Sequence, residues 1–282
     1  MYFRVATVRR HWVLATLFAC GIGLLCLNGI GQLLSLRNSD VYGLHEGTPM
    51  AATLDYPTAR EQLQRKAGEN DRDFAVRVTG VVNGAMAHYW KDEGIDAFNL
   101  RVPIWENHLF WIAGHLWPER FRRWEFADID KALERGVGLC SQHAIILNQV
   151  LWDNGIESHI VSLGAHVVVT ARVAPRDWYL LDADYGVVLP HNLNVIANRP
   201  ELIRPYYFEQ GYKAERVAIL EATYLPDQNR IFNTANGTYI LRYRGWERLF
   251  YLGIWVLPAL LMLPFVTVAA VSGWRRTPTP AV

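Results

Sequence analysis

Cysteine is scarce in this chain of 282 residues, with three in all. Cys20 and Cys26 fall in an apolar stretch near the N-terminus, which leaves Cys140 alone in the middle region. That excludes a disulfide within the region. A lone thiol in an oxidising compartment is open to oxidation, so it must be either buried or used. Excess charge of either sign is also missing: 28 basic against 27 acidic residues give a net charge of +1, which leaves no electrostatic footprint for nucleic acid. There is no internal repeat and no low-complexity run. Charge is absent altogether from residues 12–36 and from residues 249–274. Each stretch exceeds the roughly 20 apolar residues that cross a bilayer core as a helix. A soluble protein would have to bury both helices with no polar face on either.

Two transmembrane helices are therefore expected, at 12–36 and 249–274. The first reads as a retained signal anchor, because its apolar stretch is too long for the h-region of a cleaved signal and no small-x-small cleavage site precedes Arg37. Arg4, Arg9, Arg10, Arg275 and Arg276 flank the outer ends of the two spans. Arg37, Arg242, Arg244 and Arg248 flank the inner ends, so the Lys/Arg bias is narrow. The short N-terminal segment favours a cytoplasmic N-terminus (1–11) and a cytoplasmic tail (275–282), with 37–248 outside. The expected location is a cell membrane, the inner membrane in a bacterium, with the lipid bilayer as one partner.

Residues 37–248 are enough for one domain with a full core. Residues 37–56 are polar and carry Gly and Pro, and read as a linker or an irregular docking stretch leading into a domain at 57–248. Thr58-Ala59-Arg60-Glu61 has the form of a capping box at a helix start. A second helix is expected over 71–90, where Phe74, Val78, Val81, Ala85 and His88 share one stripe. Further helices are expected over 107–116, stopped near Pro118, and over 128–135, closed by Gly136. Trp90, Trp105, Trp111, Trp117 and Trp124 crowd this region, which suits a helical core built on large aromatics or, failing that, a substrate groove or a membrane-facing rim.

The most informative segment is 136–186. Gly136 and Gly138 interrupt the preceding helix, and a new helix is expected from Cys140 to Asp153. Cys140, Ala144, Leu147 and Leu151 share its buried face. Strand-like runs follow at 157–163, 166–173 and 178–182, joined by Gly164-Ala165 and by Pro175-Arg176-Asp177. A helix within 200–223 and a strand at 239–243 complete the expectation. This is an α+β architecture in which the Cys helix packs on an antiparallel sheet, with N-terminal helices before it and a transmembrane helix on either side.

Thiol catalysis needs a thiolate, which a helix N-terminus and a nearby imidazole favour by lowering the thiol pKa from about 8.5. It also needs a base within reach and a third group to orient that base. Cys140 opens the helix, His166 opens a strand of the sheet, and Asp182 ends the adjoining strand. Taken alone, Cys140 would read as a packing cysteine; the surrounding order of residues argues against that. His143, one turn along the Cys helix, is a candidate for lining the site. His159 reads as a packing or surface residue. Asp184 shares the strand parity of Asp182 and is the alternative third member. Gln142 is a candidate oxyanion donor or site-lining residue, although the Cys140 backbone N–H suits the oxyanion better. A metal set of Cys140, His143, His166 and Asp182 lacks the paired-ligand spacing of zinc sites. No metal and no other cofactor is expected.

The run GLCSQHAIILNQVLWDNGIESHIVSLGAHVVV, followed by WYLLDADYG, resembles the core of the transglutaminase-like superfamily. Cys140 stands in its Gly-x-Cys, Gly155-Ile156 in its helix-ending Gly-Ile, His166 at its strand-opening His, and Trp178 with Asp182 in its Trp-x-x-x-Asp. The resemblance covers residues 130–190 and implies a papain-like fold with a Cys140–His166–Asp182 triad. Val167-Val168 replaces the aromatic that often follows the family's His, and Ala183-Asp184 replaces a common Pro-Thr. The implied activity is thiol-dependent acyl transfer or amide hydrolysis of peptidase, amidase or transglutaminase type. The implied substrate is a peptide, a protein or a peptide-bearing envelope polymer. The competing expectation is a non-catalytic membrane scaffold of an envelope or exopolysaccharide assembly, with other membrane proteins as its partners. Nucleic acid is not among the expected partners.

Overall fold

The computed structural model describes residues 2–44, 51–89, 91–232 and 238–274; Trp90, Arg275 and Arg276 lie outside them. In chain order the elements are α1 (Tyr2–Gly31), α2 (Tyr56–Gln62), α3 (Asp71–Ala85), β1 (Ala87–His88), α4 (His108–Leu116), α5 (Pro118–Phe121) and α6 (Ile129–Arg135). There follow β2 (Val137–Gly138), α7 (Cys140–Asp153), β3 (Ser158–Leu163), β4 (Val167–Ala174), β5 (Asp177–Asp182) and β6 (Val187–Leu189). The last are α8 (Leu193–Asn198), α9 (Arg204–Glu209), α10 (Ala214–Thr223), β7 (Asn229–Phe232) and α11 (Thr238–Trp274). The chain divides into two compact units. One holds α1, Val102–Phe121 and α11 from Arg248 onward; the other holds the remainder.

Trp12–Gly31, in the first unit, and Tyr243–Val271, which belongs to it from Arg248 onward, are long and apolar enough to cross a membrane. The two helices run antiparallel. Phe18 meets Phe265 with ring centroids 4.8 Å apart, Gly21 lies against Pro258 and Met262, and the Asn28 side chain donates to the Ile254 carbonyl at 2.6 Å. A Cβ on Gly21 would stand 2.8 Å from the Pro258 carbonyl oxygen, so a small residue is what lets the helices approach. The segment around α4 packs on α11: Phe110 sits edge-on to Phe250 at 4.6 Å, and the Tyr251 hydroxyl donates to Glu106 at 2.6 Å.

In the second unit the main sheet is antiparallel, with strand order β6-β5-β4-β3-β7. Val161, Val168, Leu180 and Leu189 face a core shared with Ile196, Ile203, Tyr207, Val217 and Leu220 of the α8–α10 region. Side chains alternate along strands, so Ile160, Val169 and Leu181 point to the opposite face, toward α7; all three are fully buried. A short parallel pair, β1 with β2, stands apart, with Ala87 opposite Val137 and His88 opposite Gly138.

Several boundaries differ from the sequence expectation. The α2 cap is Asp55, which accepts from the Thr58 N–H at 2.8 Å, so Thr58 lies inside the helix instead of capping it. Helix α3 stops at Ala85 and not near residue 90, because distant chain takes up its last carbonyls. The N–H groups of Thr53 and Leu54 donate to Gly84 O at 2.7 and 2.8 Å, and the Arg37 guanidinium donates to Ala85 O at 3.0 Å. Arg37 also reaches the Leu54 and Leu133 carbonyls, and Val41 and Ala52 are buried, so the described part of 37–56 is docked onto the domain. The expected helix within 200–223 is divided into α9 and α10 by Gly211, at φ +84°. Residues 239–243 are helical, continuous with α11, and the strand of this region lies earlier, at β7. Helix propagation is cooperative, and a long apolar helix extends readily into the residues before it. The tryptophans split between roles: Trp124 is buried, whereas Trp117 is 55 % exposed.

Candidate active site

Cys140 is the first residue of α7, directly after strand β2, and its neighbour Leu139 provides no side-chain cap. The first-turn N–H groups therefore keep their donor capacity and the positive end of the helix dipole beside the sulfur. Cys140 itself is partly exposed. Buried partners hold this turn from behind. The Gln142 amide donates to Phe126 O at 2.8 Å and accepts from Phe126 N at 2.7 Å, while Arg135 donates to Gln142 Oε1 at 3.2 Å and to Trp124 O at 2.6 Å. The Ser141 hydroxyl donates to the buried Glu125 carboxyl, whose pKa burial pushes up. Gln142 is thus spent on the scaffold and does not join the site as the sequence suggested.

Gly164, at φ +79°, makes the tight connection between β3 and β4 that brings His166 to the residue just before β4. His166 Nε2 meets Asp182 Oδ2 at 2.7 Å, and both side chains are buried. A ring nitrogen of His166 lies within 4.8 Å of the Cys140 sulfur at the start of α7. Burial alone would strip the imidazole of its proton, but the Asp182 carboxylate and the Cys140 sulfur outweigh it, and the ring keeps its proton well above pH 6.5. Asp182 is held in turn: its Oδ2 accepts from the Tyr207 hydroxyl at 2.5 Å and its Oδ1 from the Tyr185 N–H at 3.2 Å. Tyr207 continues to the Tyr224 hydroxyl at 3.3 Å. Burial and then the Asp182 charge hold the Tyr207 phenol far above its usual pKa, so it stays a donor. The Tyr185 ring covers His166 edge-on at 5.3 Å.

Asp184 does not take the third position; the bond to His166 belongs to Asp182. Its buried carboxylate meets His88 Nδ1 at 2.7 and 2.9 Å and lies 3.5 Å from His143 Nδ1. Burial would raise its pKa, but the imidazoles of His143 and His88 overcome that and hold it at about 2. His143 is buried beside this carboxylate. Its Nδ1 faces Leu139 O at 2.8 Å and its Nε2 faces Met86 O at 3.4 Å. His159 lies elsewhere, stacked on Trp178 at 5.7 Å, as a packing residue. The sulfur of Cys140, a ring nitrogen of His166 and a carboxylate oxygen of Asp184 lie within 4.8 Å of one another, and by donor type these three could hold a metal ion.

Sequence reasoning missed His88, Tyr185, Tyr207 and Tyr224. His88 was assigned to the stripe of a helix that in fact ends three residues earlier. Tyr207 and Tyr224 are distant in sequence with no motif to mark them, and Tyr185 stands within the WYLLDADYG run without having been singled out. No known protein family, curated protein or solved structure matches the chain.

Proposed function

We propose that this is a membrane-anchored thiol enzyme that forms an acyl intermediate on Cys140 and passes it to water or an amine, with the domain outside the cytoplasm. The observation that carries this reading is the His166 imidazole bonded to the Asp182 carboxylate at 2.7 Å and within 4.8 Å of the sulfur at the start of α7. The Cys140 sulfur attacks an amide carbonyl and the C–N bond breaks. The leaving amine takes the proton of His166, and a thioester remains on Cys140. The Cys140 N–H, at the helix start, is placed to meet the oxyanion. The resemblance to transglutaminase-like and papain-like enzymes, carried by the residues from Gly138 to Asp182, supports the same chemistry. An apolar anchor on each side favours peptides or peptide-bearing polymers of the cell envelope as substrates.

A metal centre on Cys140, His166 and Asp184 is the competing reading, favoured by their proximity. Against it, both Asp184 oxygens are already engaged by His88. A non-catalytic scaffold is the other alternative. Alkylation of the full chain in detergent with iodoacetamide, read by peptide mass, tests the proposal. Cys140 should label readily below pH 7, and His166→Ala should slow labelling at least ~10-fold. Labelling no faster than that of an ordinary thiol would leave the scaffold, and metal bound at stoichiometry with labelling released by a chelator would establish the metal centre.

A further inference from the structure

The thiol has a second imidazole–carboxylate pair beside it. The parallel pairing of β1 with β2 sets His88 opposite Gly138, two residues before Cys140, with Tyr89 N donating to Gly138 O at 3.0 Å. His88 Nδ1 is committed to Asp184 at 2.7 Å, and Asp184 in turn stands within 4.8 Å of the Cys140 sulfur. Asp184 is itself fixed by the Asn83 amide, which donates to its carbonyl at 2.8 Å; Asn83 also lies against Gly186, which turns the chain at φ +67°. The pair repeats the composition of His166–Asp182 but differs in exposure. The His166 side chain is 6 % exposed and that of His88 is 29 % exposed, with Nε2 turned away from the carboxylate that holds Nδ1. One dyad is enclosed next to the sulfur and the other opens to solvent.

Building on the proposed acyl-enzyme chemistry, we infer that His88, oriented by Asp184, is a second general base that activates the acceptor, water or a small amine, in the step that empties Cys140. The acceptor O–H or N–H gives its proton to His88 Nε2 while its lone pair attacks the thioester carbonyl, and the C–S bond breaks to restore the sulfur anion. When water is the acceptor, the new carboxylic acid loses its own proton to His166, which regains the form it had before the cycle. With water, His88 then releases its proton to solvent, where the amine expelled in the first step takes it up; with an amine acceptor, the proton that His88 releases returns to His166 instead. Protons and charge balance with no further reactant. The two steps thus use different imidazoles, the enclosed one for the nucleophile and leaving group, the open one for a reactant that must diffuse in.

The test uses p-nitrophenyl acetate on the full chain in detergent, following p-nitrophenolate release and the acetyl group on Cys140 by intact mass. His88→Gln should leave acetylation within about twofold of the parent and slow loss of the acetyl group by roughly 100-fold, within the range of general-base catalysis. Added imidazole should restore part of the rate in His88→Ala. Asp184→Asn should slow the same step less, as expected of a positioning residue. Equal deacetylation in His88→Gln and the parent would overturn the inference while leaving the thiol chemistry standing. So would acetylation and deacetylation falling in the same proportion, which would make His88 structural. Absence of acetyl-Cys140 in both the parent chain and His88→Gln would overturn the acyl-enzyme reading itself, and the inference with it.

Discussion

Tyr207 and His166 bind the same oxygen of Asp182, at 2.5 and 2.7 Å. A buried carboxylate with two such donors has little freedom to turn, so the imidazole it holds is fixed in plane and in tautomer. Tyr207→Phe removes one donor and strands the Tyr224 hydroxyl. It should cost about 1–3 kcal/mol of stability, seen in the thermal midpoint, because hydrogen bonds to charged groups are worth roughly that much. Turnover should fall only several-fold, since His166 keeps its own bond to Asp182. A loss of turnover as large as that of His166→Ala would place Tyr207 in the chemistry itself.

The two neighbouring aspartates can be separated by one comparison. Asp182→Asn keeps the shape but offers the imidazole an amide that can stabilise the wrong tautomer, and turnover should drop by about 100-fold or more while the fold survives. Cys140 labelling should fall less than in His166→Ala, because the α7 terminus still acts on the sulfur. Asp184→Asn should retain more turnover than Asp182→Asn. The reverse order, with turnover lost in Asp184→Asn alone, would transfer the orienting role to Asp184.

The pH dependence of stability follows from the same groups. His166 is raised above its ordinary value, so its contribution is complete below about pH 6.5 and is lost as pH rises through the higher folded value. Asp184 is lowered from 3.8 to about 2, so its contribution is present above pH 3.8 and is lost as pH falls toward 2. That shift corresponds to about 2 kcal/mol. The contributions of His166 and Asp184 to the thermal midpoint should therefore be jointly greatest between about pH 4 and 6.5. In Asp184→Asn the acid limb between pH 4 and 2 should flatten; an unchanged acid limb would show that other carboxylates carry it.

Antiparallel packing of α1 on α11 predicts that the two chain ends share one side of the membrane. A reporter fused after Val282 should be active only on the cytoplasmic side, and one fused after Leu36 only outside. Reporters of opposite sidedness at the two ends would break the antiparallel pair, and recovery of the chain in the soluble fraction would remove the spans.

What the sequence determines by itself is local. Charge-free stretches of bilayer length marked both apolar helices, because a lipid core admits no unpaired charge over that distance. The helix at Cys140–Asp153 and the three strands after it were legible because their periods of 3.6 and 2 and their turn residues lie within one short segment. Cys140, His166 and Asp182 were legible for the same reason, being elements of that segment. Only the tertiary structure decided what surrounds them. Whether Asp182 or Asp184 meets His166 depends on how the turn after β5 folds, and strand parity is the same for both. The end of α3, and with it the place of His88, depends on Arg37, Thr53 and Leu54 capturing its last carbonyls across 30 or more residues. Tyr207 and Tyr224 reach Asp182 only once α9 and α10 have packed on the sheet. A hydrogen bond between distant residues leaves no period in the chain, so it becomes visible only when the fold has closed.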